Sequence, residues 1–485
     1  MTTASSVRRR GVVCGLILGA LLLAARPASA DLILFDKDGW TFFTDGRINT
    51  FFSYGQGNDF PKPTPNNLDP NVSHSVIGDG APFTAGFPTQ PQGFNGKYSA
   101  VRLRSGFLGS IIAFGIKRQA TEWTSIKSYV AMWQTAETNF RNRDFDVLGK
   151  DNPYRSFDVR EGWLAIEGPW GALVAGKQGG ILGGISTEID FLYGHNYGLG
   201  LPCVEFYFPS CGHIGTGALG NGVAAGFTYT TPSLGGLRFK GGLYDPVRLL
   251  GAWERAPYPR PEAALWFERR ISPSVMFKVQ GEGMYQYIAI KENIREDRVW
   301  GVEGGARLEA GPLRLGISAY HGKGLGSYIA LQNAASTFDQ VYRDMRYFTG
   351  MYAQLALVFA REQFSTGIGR VMGHLLDSDK NGHVVLDDMG RPMLDMNGNP
   401  IIDLTPAYGN SNLKYQTGFS LAFYHHVSDV LVLGIDYFRF QTDWWGARNA
   451  TLDPTTSTVT MLQPGSLPGE KQVVHFLNMG ATFHW

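Results

Sequence analysis

The stretch SVMFKVQGEGMYQYI, residues 274–288, decides how the chain is read. Val275, Phe277, Val279, Gly281, Gly283, Tyr285 and Tyr287 fall on one set of alternate positions. Met276, Lys278, Gln280, Glu282, Met284, Gln286 and Ile288 fall on the other. Successive side chains of a strand point to opposite faces, so this strand has one greasy face and one mostly polar face. Residues 414–425 repeat the pattern, with Tyr415, Thr417, Phe419, Leu421 and Phe423 against Lys414, Gln416, Gly418, Ser420 and Tyr424. Leu313, Leu315, Ile317 and Ala319 oppose Arg314, Gly316, Ser318 and Tyr320 in the same way.

Outward from these segments the same unit recurs from Trp40 to the end, and the connections alternate between short and long. Short ones, rich in turn residues, fall at 118–122, 168–171, 231–236, 272–274, 310–312, 360–363 and 426–429. Long polar ones fall at 55–97, 135–155, 178–221, 245–260, 289–297, 321–346, 373–412 and 445–470. This punctuation implies sixteen strands. The seventh, near 237–244, and the fifteenth, near 430–444, alternate least cleanly. Strands of about ten residues, even in number, with short turns at one end and long loops at the other, define a transmembrane barrel. Aromatic residues near strand ends (Trp40, Tyr54, Trp123, Trp133, Trp163, Trp170, Tyr244, Tyr287 and Trp444) are placed as interface girdles. A soluble sandwich, the alternative, has no need of loops of some forty residues.

Residues 1–30 carry the marks of an export signal. Arg8, Arg9 and Arg10 precede an apolar run from Gly11 to Ala25, and Ala28-Ser29-Ala30 offers a cleavage site, so residues 31–485 are expected to form one mature domain. Removing those arginines and Arg26 leaves 39 basic residues against 42 acidic, which argues against a nucleic-acid partner. The mature part has 62 glycines less those of the leader, many aromatics, and no apolar run long enough for a spanning helix. Cys203 and Cys211 are eight apart in an exported chain and are expected to form a disulfide, which would stabilise by roughly 2–3 kcal/mol.

The architecture resembles that of the general bacterial porins. The last residues, Asn478 to Trp485, alternate up to a terminal aromatic, as the final strand of that family does. Arg160-Glu161-Gly162-Trp163-Leu164 through Gly168, with Trp170-Gly171 and Gly176-Lys177-Gln178, resembles the strands before the family's constriction loop. Gly226-Phe227-Thr228-Tyr229-Thr230-Thr231-Pro232 resembles the strand after it. The resemblance implies an all-β, sixteen-stranded antiparallel barrel in a bacterial outer membrane. Its third loop, 178–221, would fold inward. The molecule would be a homotrimer among outer-membrane lipid and lipopolysaccharide, passing small hydrophilic solutes and ions by diffusion and catalysing nothing.

In such a pore acidic residues on the inward loop face basic residues on the wall, and charge at a narrow point sets selectivity. The loop offers Glu188, Asp190 and Glu205, and the wall offers Arg47, Arg102, Arg104 and Arg160, with Lys117 and Lys127 behind them. Parity supports the wall set: Arg47 shares a face with Asp45 and Asn49 opposite Ile48 and Phe52, and Arg102 and Arg104 oppose Val101 and Leu103. A lipid-facing Arg at the midplane would cost about 2–4 kcal/mol. Two alternatives stay open. A substrate-selective channel, for sugars or anions, could use the loop aromatics Phe191, Tyr193, Tyr197, Phe206, Tyr207 and Phe208 as a stacking surface. A plugged structural or adhesive barrel would conduct nothing.

Residues 377–388 have the spacing of a calcium loop, with Asp377, Asp379, Asn381 and Asp388 at ligand positions and Gly382 at the sharp turn. Position 12 is Asp rather than Glu and no helices flank it, so an ordinary solvated loop is the competing reading. No other cofactor is expected. Gly215-Thr216-Gly217-Ala218-Leu219-Gly220 matches a dinucleotide motif without the strand and helix that motif needs. His425-His426 sits at a turn. There is no H-E-x-x-H and no G-x-S-x-G, which leaves a lumen-edge Ser/His pair as the remaining route to hydrolysis.

Overall fold

A computed structural model describes residues 32–58, 97–107, 109–134, 157–196, 198–205, 208–247, 254–290, 295–326, 345–374, 383–384, 391–403, 413–444, 450–452, 459–461 and 471–485. Sixteen strands form one antiparallel wall. In chain order they are β1 (Trp40–Asn58), β2 (Lys97–Arg104 continued by Ser110–Gln119), β3 (Ser125–Gln134), β4 (Phe157–Gly168), β5 (Gly171–Gly179), β6 (Val223–Thr230), β7 (Leu237–Tyr244) and β8 (Arg260–Ser272). The second half is β9 (Val275–Ile290), β10 (Arg295–Ala310), β11 (Leu313–Lys323), β12 (Tyr347–Phe359), β13 (Glu362–Gly373), β14 (Leu413–His426), β15 (Leu431–Trp444) and β16 (Lys471–His484). Each pairs with the next, and β16 returns to β1 from Arg47↔His484 to Gly57↔Val474, closing the barrel. Closure leaves no edge along this seam, which is what a spanning sheet requires where no water can satisfy its backbone.

The alternation read from the sequence is realised in space. On β9, Val279 and Tyr285 are exposed on the outer face, while Lys278, Gln280, Glu282, Met284 and Gln286 are buried on the inner one. Leu103, Phe227, Ile317, Met351, Ile368 and Leu433 continue the greasy exterior. The inner face carries most of the buried polar side chains, the reverse of a soluble core. Three of the aromatics expected in the girdles are not there. Trp133, Trp163 and Tyr244 have inward parity: Trp133 packs against the inner clusters, Trp163 lines an inner cavity, and Tyr244 is buried. Position near a strand end does not decide the face; parity does.

Two details fix the seam. An N-terminal strand, Leu32–Lys37, turns at Asp38 (φ 53°) and Gly39 (φ 77°) and pairs with the start of β1. Two positive φ values in a two-residue loop are what Asp-Gly supplies best. This strand extends the wall beyond Trp485, whose backbone pairs with Gly46. In β2 the ladder is broken at 105–109, where Phe107 enters an inner apolar cluster. Asn49 replaces the missing ladder bonds: its Nδ2 donates to the Gly109 carbonyl (3.0 Å) and its Oδ1 accepts from the Gly106 amide (2.7 Å).

Candidate functional site: the inner face and the segment 178–221

Although no period runs through 178–221, the segment is ordered by the wall it touches. It contains α1 (Gly184–Ile189), α2 (Tyr193–Asn196) and a hairpin of Leu201–Glu205 with Phe208–Gly212. Helix α1 has no side-chain cap of its own. Its first amides are orphans by construction, and inner-face carboxylates serve the N-cap and first turn together with the two residues that lead into them. Glu262 accepts from Ile181 (2.5 Å) and Leu182 (3.0 Å), and Glu282 accepts from Gly183 (2.7 Å) and Ile185 (3.4 Å). Glu303 accepts from the Ser186 hydroxyl. Hydrogen bonds to charged groups contribute about 1.5–3 kcal/mol each, and a buried carboxylate left without them would be strongly destabilising.

Further along, Gln354 Oε1 accepts the Phe191 amide (3.1 Å), Gln363 Nε2 donates to its carbonyl (2.7 Å), and Asp436 accepts the Leu199 amide (3.3 Å). Asn478 Nδ2 donates to the Gly200 carbonyl (3.1 Å) and to Asp436 (2.7 Å). The segment therefore meets inner-face side chains on β8, β9, β10, β12, β13, β15 and β16. Apolar packing reinforces this. Leu192, Tyr193, Leu201, Cys211 and Ile214 share a cluster with Phe107 and with Tyr424, Phe438, Phe440, Val474 and Phe476 of β14 to β16. At Gly217 (φ 113°) and Gly369 two backbones nearly touch: a Cβ on Gly369 would lie 2.1 Å from the Thr216 carbonyl oxygen, and one on Gly217 would lie 2.0 Å from that of Met351. The Gly-x-Gly there serves close approach, not a dinucleotide.

The candidate residues separate into groups. Glu188 is partly exposed, bonded to Lys278 Nζ (2.5 Å) and 3.7 Å from Arg307. Asp190 is buried; its Oδ1 accepts the amides of Leu192 (3.1 Å) and Tyr193 (3.0 Å), and its other oxygen faces His213 (3.4 Å). Arg104 and Arg160 are also buried, the latter over the Trp133 ring (4.7 Å). Arg47 is partly buried and donates to the Gly109 carbonyl (3.2 Å). Arg102 pairs by backbone with Ser53, and its side chain, like those of Cys203 and Glu205, lies outside the described ones. Cys211 is buried and disulfide-bonded. The residues at calcium-loop spacing, Asp377, Asp379, Asn381 and Asp388, lie outside the described residues. Nearby, Asp395 has a different job: backbone amides of Asn399 and Asn397 donate to it and hold its carboxyl below the usual range.

Phe191 and Tyr193 are fully buried, so neither offers a stacking surface to a passing solute. A Ser/His/Asp alignment does exist, with Ser420 Oγ 2.7 Å from His213 Nε2 and Asp190 near Nδ1, but His213 and Ser420 are wholly buried and Tyr352 also bonds His213 (2.7 Å). It ties the segment to the wall and leaves no room for a substrate.

Sequence reasoning did not single out the cations that frame the accessible side of the lumen. Lys240, Arg307 and Arg314 are partly exposed, and Lys278 sits over Trp266 (5.3 Å). Lys117 and Lys127, ranked behind the arginines, stand over the Phe43 ring at 5.2 and 4.8 Å. Parity on β9 already placed Lys278 inside. A 460 Å³ cavity lies between helix α1 and the wall, bordered by Trp163, Trp266, Lys240, Lys278 and Glu188.

Barrel, greasy exterior and polar inner face define a membrane-spanning protein of the bacterial outer membrane with the porin fold. Comparison with solved structures agrees at the level of fold. The outer-membrane channel DcaP of Acinetobacter baumannii is 10% identical with a TM-score of 0.56, over 94% of this chain and all of that one. An anion-selective porin from Comamonas acidovorans is 11% identical with a TM-score of 0.52, over 92% of this chain and all of that one. No protein-family model and no curated protein matches the chain by sequence.

Proposed function

We propose that the chain is a passive channel for small hydrophilic solutes and ions, narrowed by residues 178–221 and favouring anions. The observation that carries this reading is the division of charge on the inner face. The carboxylates Glu262, Glu282 and Glu303 are buried beneath the segment they anchor. Of those left partly or fully exposed, Asp45 accepts Tyr129 (2.8 Å), Glu161 accepts the Trp163 indole N–H (3.3 Å), Glu188 holds Lys278, Glu309 holds Arg307, and Glu167 stands exposed. The cations Lys117, Lys127, Lys240, Arg307 and Arg314 remain facing the passage, in a confined space whose walls focus their field. The likeness in fold to an anion-selective porin supports it. The homotrimer and its lipopolysaccharide surroundings belong to the same proposal, and crosslinking of detergent-extracted protein tests the trimer.

Planar-bilayer recording in a salt gradient tests the channel. The expected result is stepwise conductance with a reversal potential on the anion side. A cation-side potential would overturn the preference, and silent bilayers would favour a plugged barrel.

A further inference from the structure

The cavity between helix α1 and the wall contains a donor that the protein leaves unused. Lys240 is partly buried, and among the described residues its ammonium makes no hydrogen bond or ion pair. The nearest carboxylates, Glu262 and Glu282, act on it only through space and are committed to the amides of 181–185. Other polar groups in the cavity, the exposed Glu167 apart, are taken. Lys278 holds Glu188, Gln280 donates to Glu282 (2.6 Å), and Gln178 bridges the Gly226 carbonyl (3.3 Å) and Thr228 (3.3 Å). Two indoles, Trp163 and Trp266, border the same space, and the inner wall between them is small, with Ala165, Val174 and Ala264.

We infer that this cavity is a binding subsite for a small aromatic monocarboxylate, its carboxylate on Lys240 and its ring against an indole. The inference rests on the channel reading and names a solute class for it. A free ammonium beside aromatic faces selects an anion with a flat apolar body. A neutral sugar would need several free amides and carboxylates, and in this cavity only the exposed Glu167 is not engaged. Glu167, exposed at the rim, disfavours a second negative charge on the solute.

Benzoate is the probe, added to the folded full-length protein in detergent and followed by tryptophan fluorescence and calorimetry. Saturable binding is expected, with much weaker binding of acetate, which lacks the ring, and of benzylamine, which reverses the charge. Lys240→Gln should weaken benzoate about tenfold or more, the loss of one hydrogen bond to a charged group. Lys240→Arg should restore most of it and shows that the position tolerates substitution. Equal binding of acetate or benzylamine, or benzoate binding indifferent to Lys240→Gln, would overturn the subsite. Because binding is read without current, the two readings fail separately: conductance without benzoate binding removes only the subsite, and binding in a silent barrel removes only the channel.

Discussion

Two halves of one wall meet the lumen differently. From β14 to β16 the inner face is largely apolar, with Ala422, Tyr424, Val432, Phe438, Phe440, Val474 and Phe476 packed onto residues 192–214. From β3 to β10 it is cationic and aromatic, with Lys127, Trp163, Lys240, Trp266, Lys278 and Arg307. The first holds residues 192–214 by apolar packing; the second holds 181–186 through Glu262, Glu282 and Glu303, with Leu182 and Leu219 against Met284, Ile288 and Val299, and leaves its remaining cationic and aromatic positions for water and solute. An apolar residue on the wet side of a barrel thus marks where the protein fills its own lumen.

The contrast breaks most visibly if the docked half is loosened. Phe438→Ala removes a wholly buried ring from the shared cluster, a change that costs roughly 3–5 kcal/mol in well-packed cores. Gly369→Val drives a side chain into the Thr216 carbonyl. Both variants should unfold at lower temperature in heated-gel assays and conduct more per channel than the parent. Unchanged unit conductance in folded Gly369→Val protein would mean that the segment does not limit the passage.

This half also explains where sequence reading stalled. The greasy-polar alternation of β9 was legible because most of its inner positions are polar and bonded: Lys278 to Glu188, Glu282 to the Gly183 amide and Gln286 to Val247. The fifteenth strand alternated poorly for two physical reasons. Its inner positions, Val432, Phe438 and Phe440, are apolar because the segment 192–214 packs there. Its outer positions near the far end are polar, with Arg439 donating to Gln441 (2.8 Å), Gln441 to Asp443 (2.6 Å), and Tyr437 bonding His475 (2.7 Å). The seventh strand is diluted by Gly241 and Gly242. Arg47, Arg104 and Arg160 do lie on the inner side, but parity carries no information on depth. Arg104 and Arg160 are buried, Arg160 over the Trp133 ring, which the alternation alone does not reveal.

The open half makes the next prediction, with an effect on selectivity rather than on folding. Lys278→Gln with Arg307→Gln removes two inner-face cations that flank Glu188 and leaves that carboxylate unopposed. In a narrow, low-dielectric passage such a reversal changes ion preference strongly. The reversal potential should move toward cations by an amount that shrinks as salt rises and screening shortens. The apolar cluster around Phe438 is untouched, so heat stability should fall less than in Phe438→Ala, although helix α1 loses its ties to Lys278 and Arg307.

Glu188→Gln is the milder complement and the sharper discriminator. Its carboxylate is only partly buried, already paired, and screened by water on its open side, so its removal alters the local field less than loss of two cations. Freed of Glu188, Lys278, together with Arg307 on its remaining partner Glu309, should pull the reversal potential further toward anions, and unit conductance in chloride should rise modestly. Asp190→Asn should do neither. Asp190 is buried and spends Oδ1 on the amides of Leu192 and Tyr193, so its loss should appear as lower heat stability with selectivity unchanged. If the two variants shifted selectivity equally, the field at the narrow point would come from the segment as a whole, and the separation between a docked half and a conducting half would not hold.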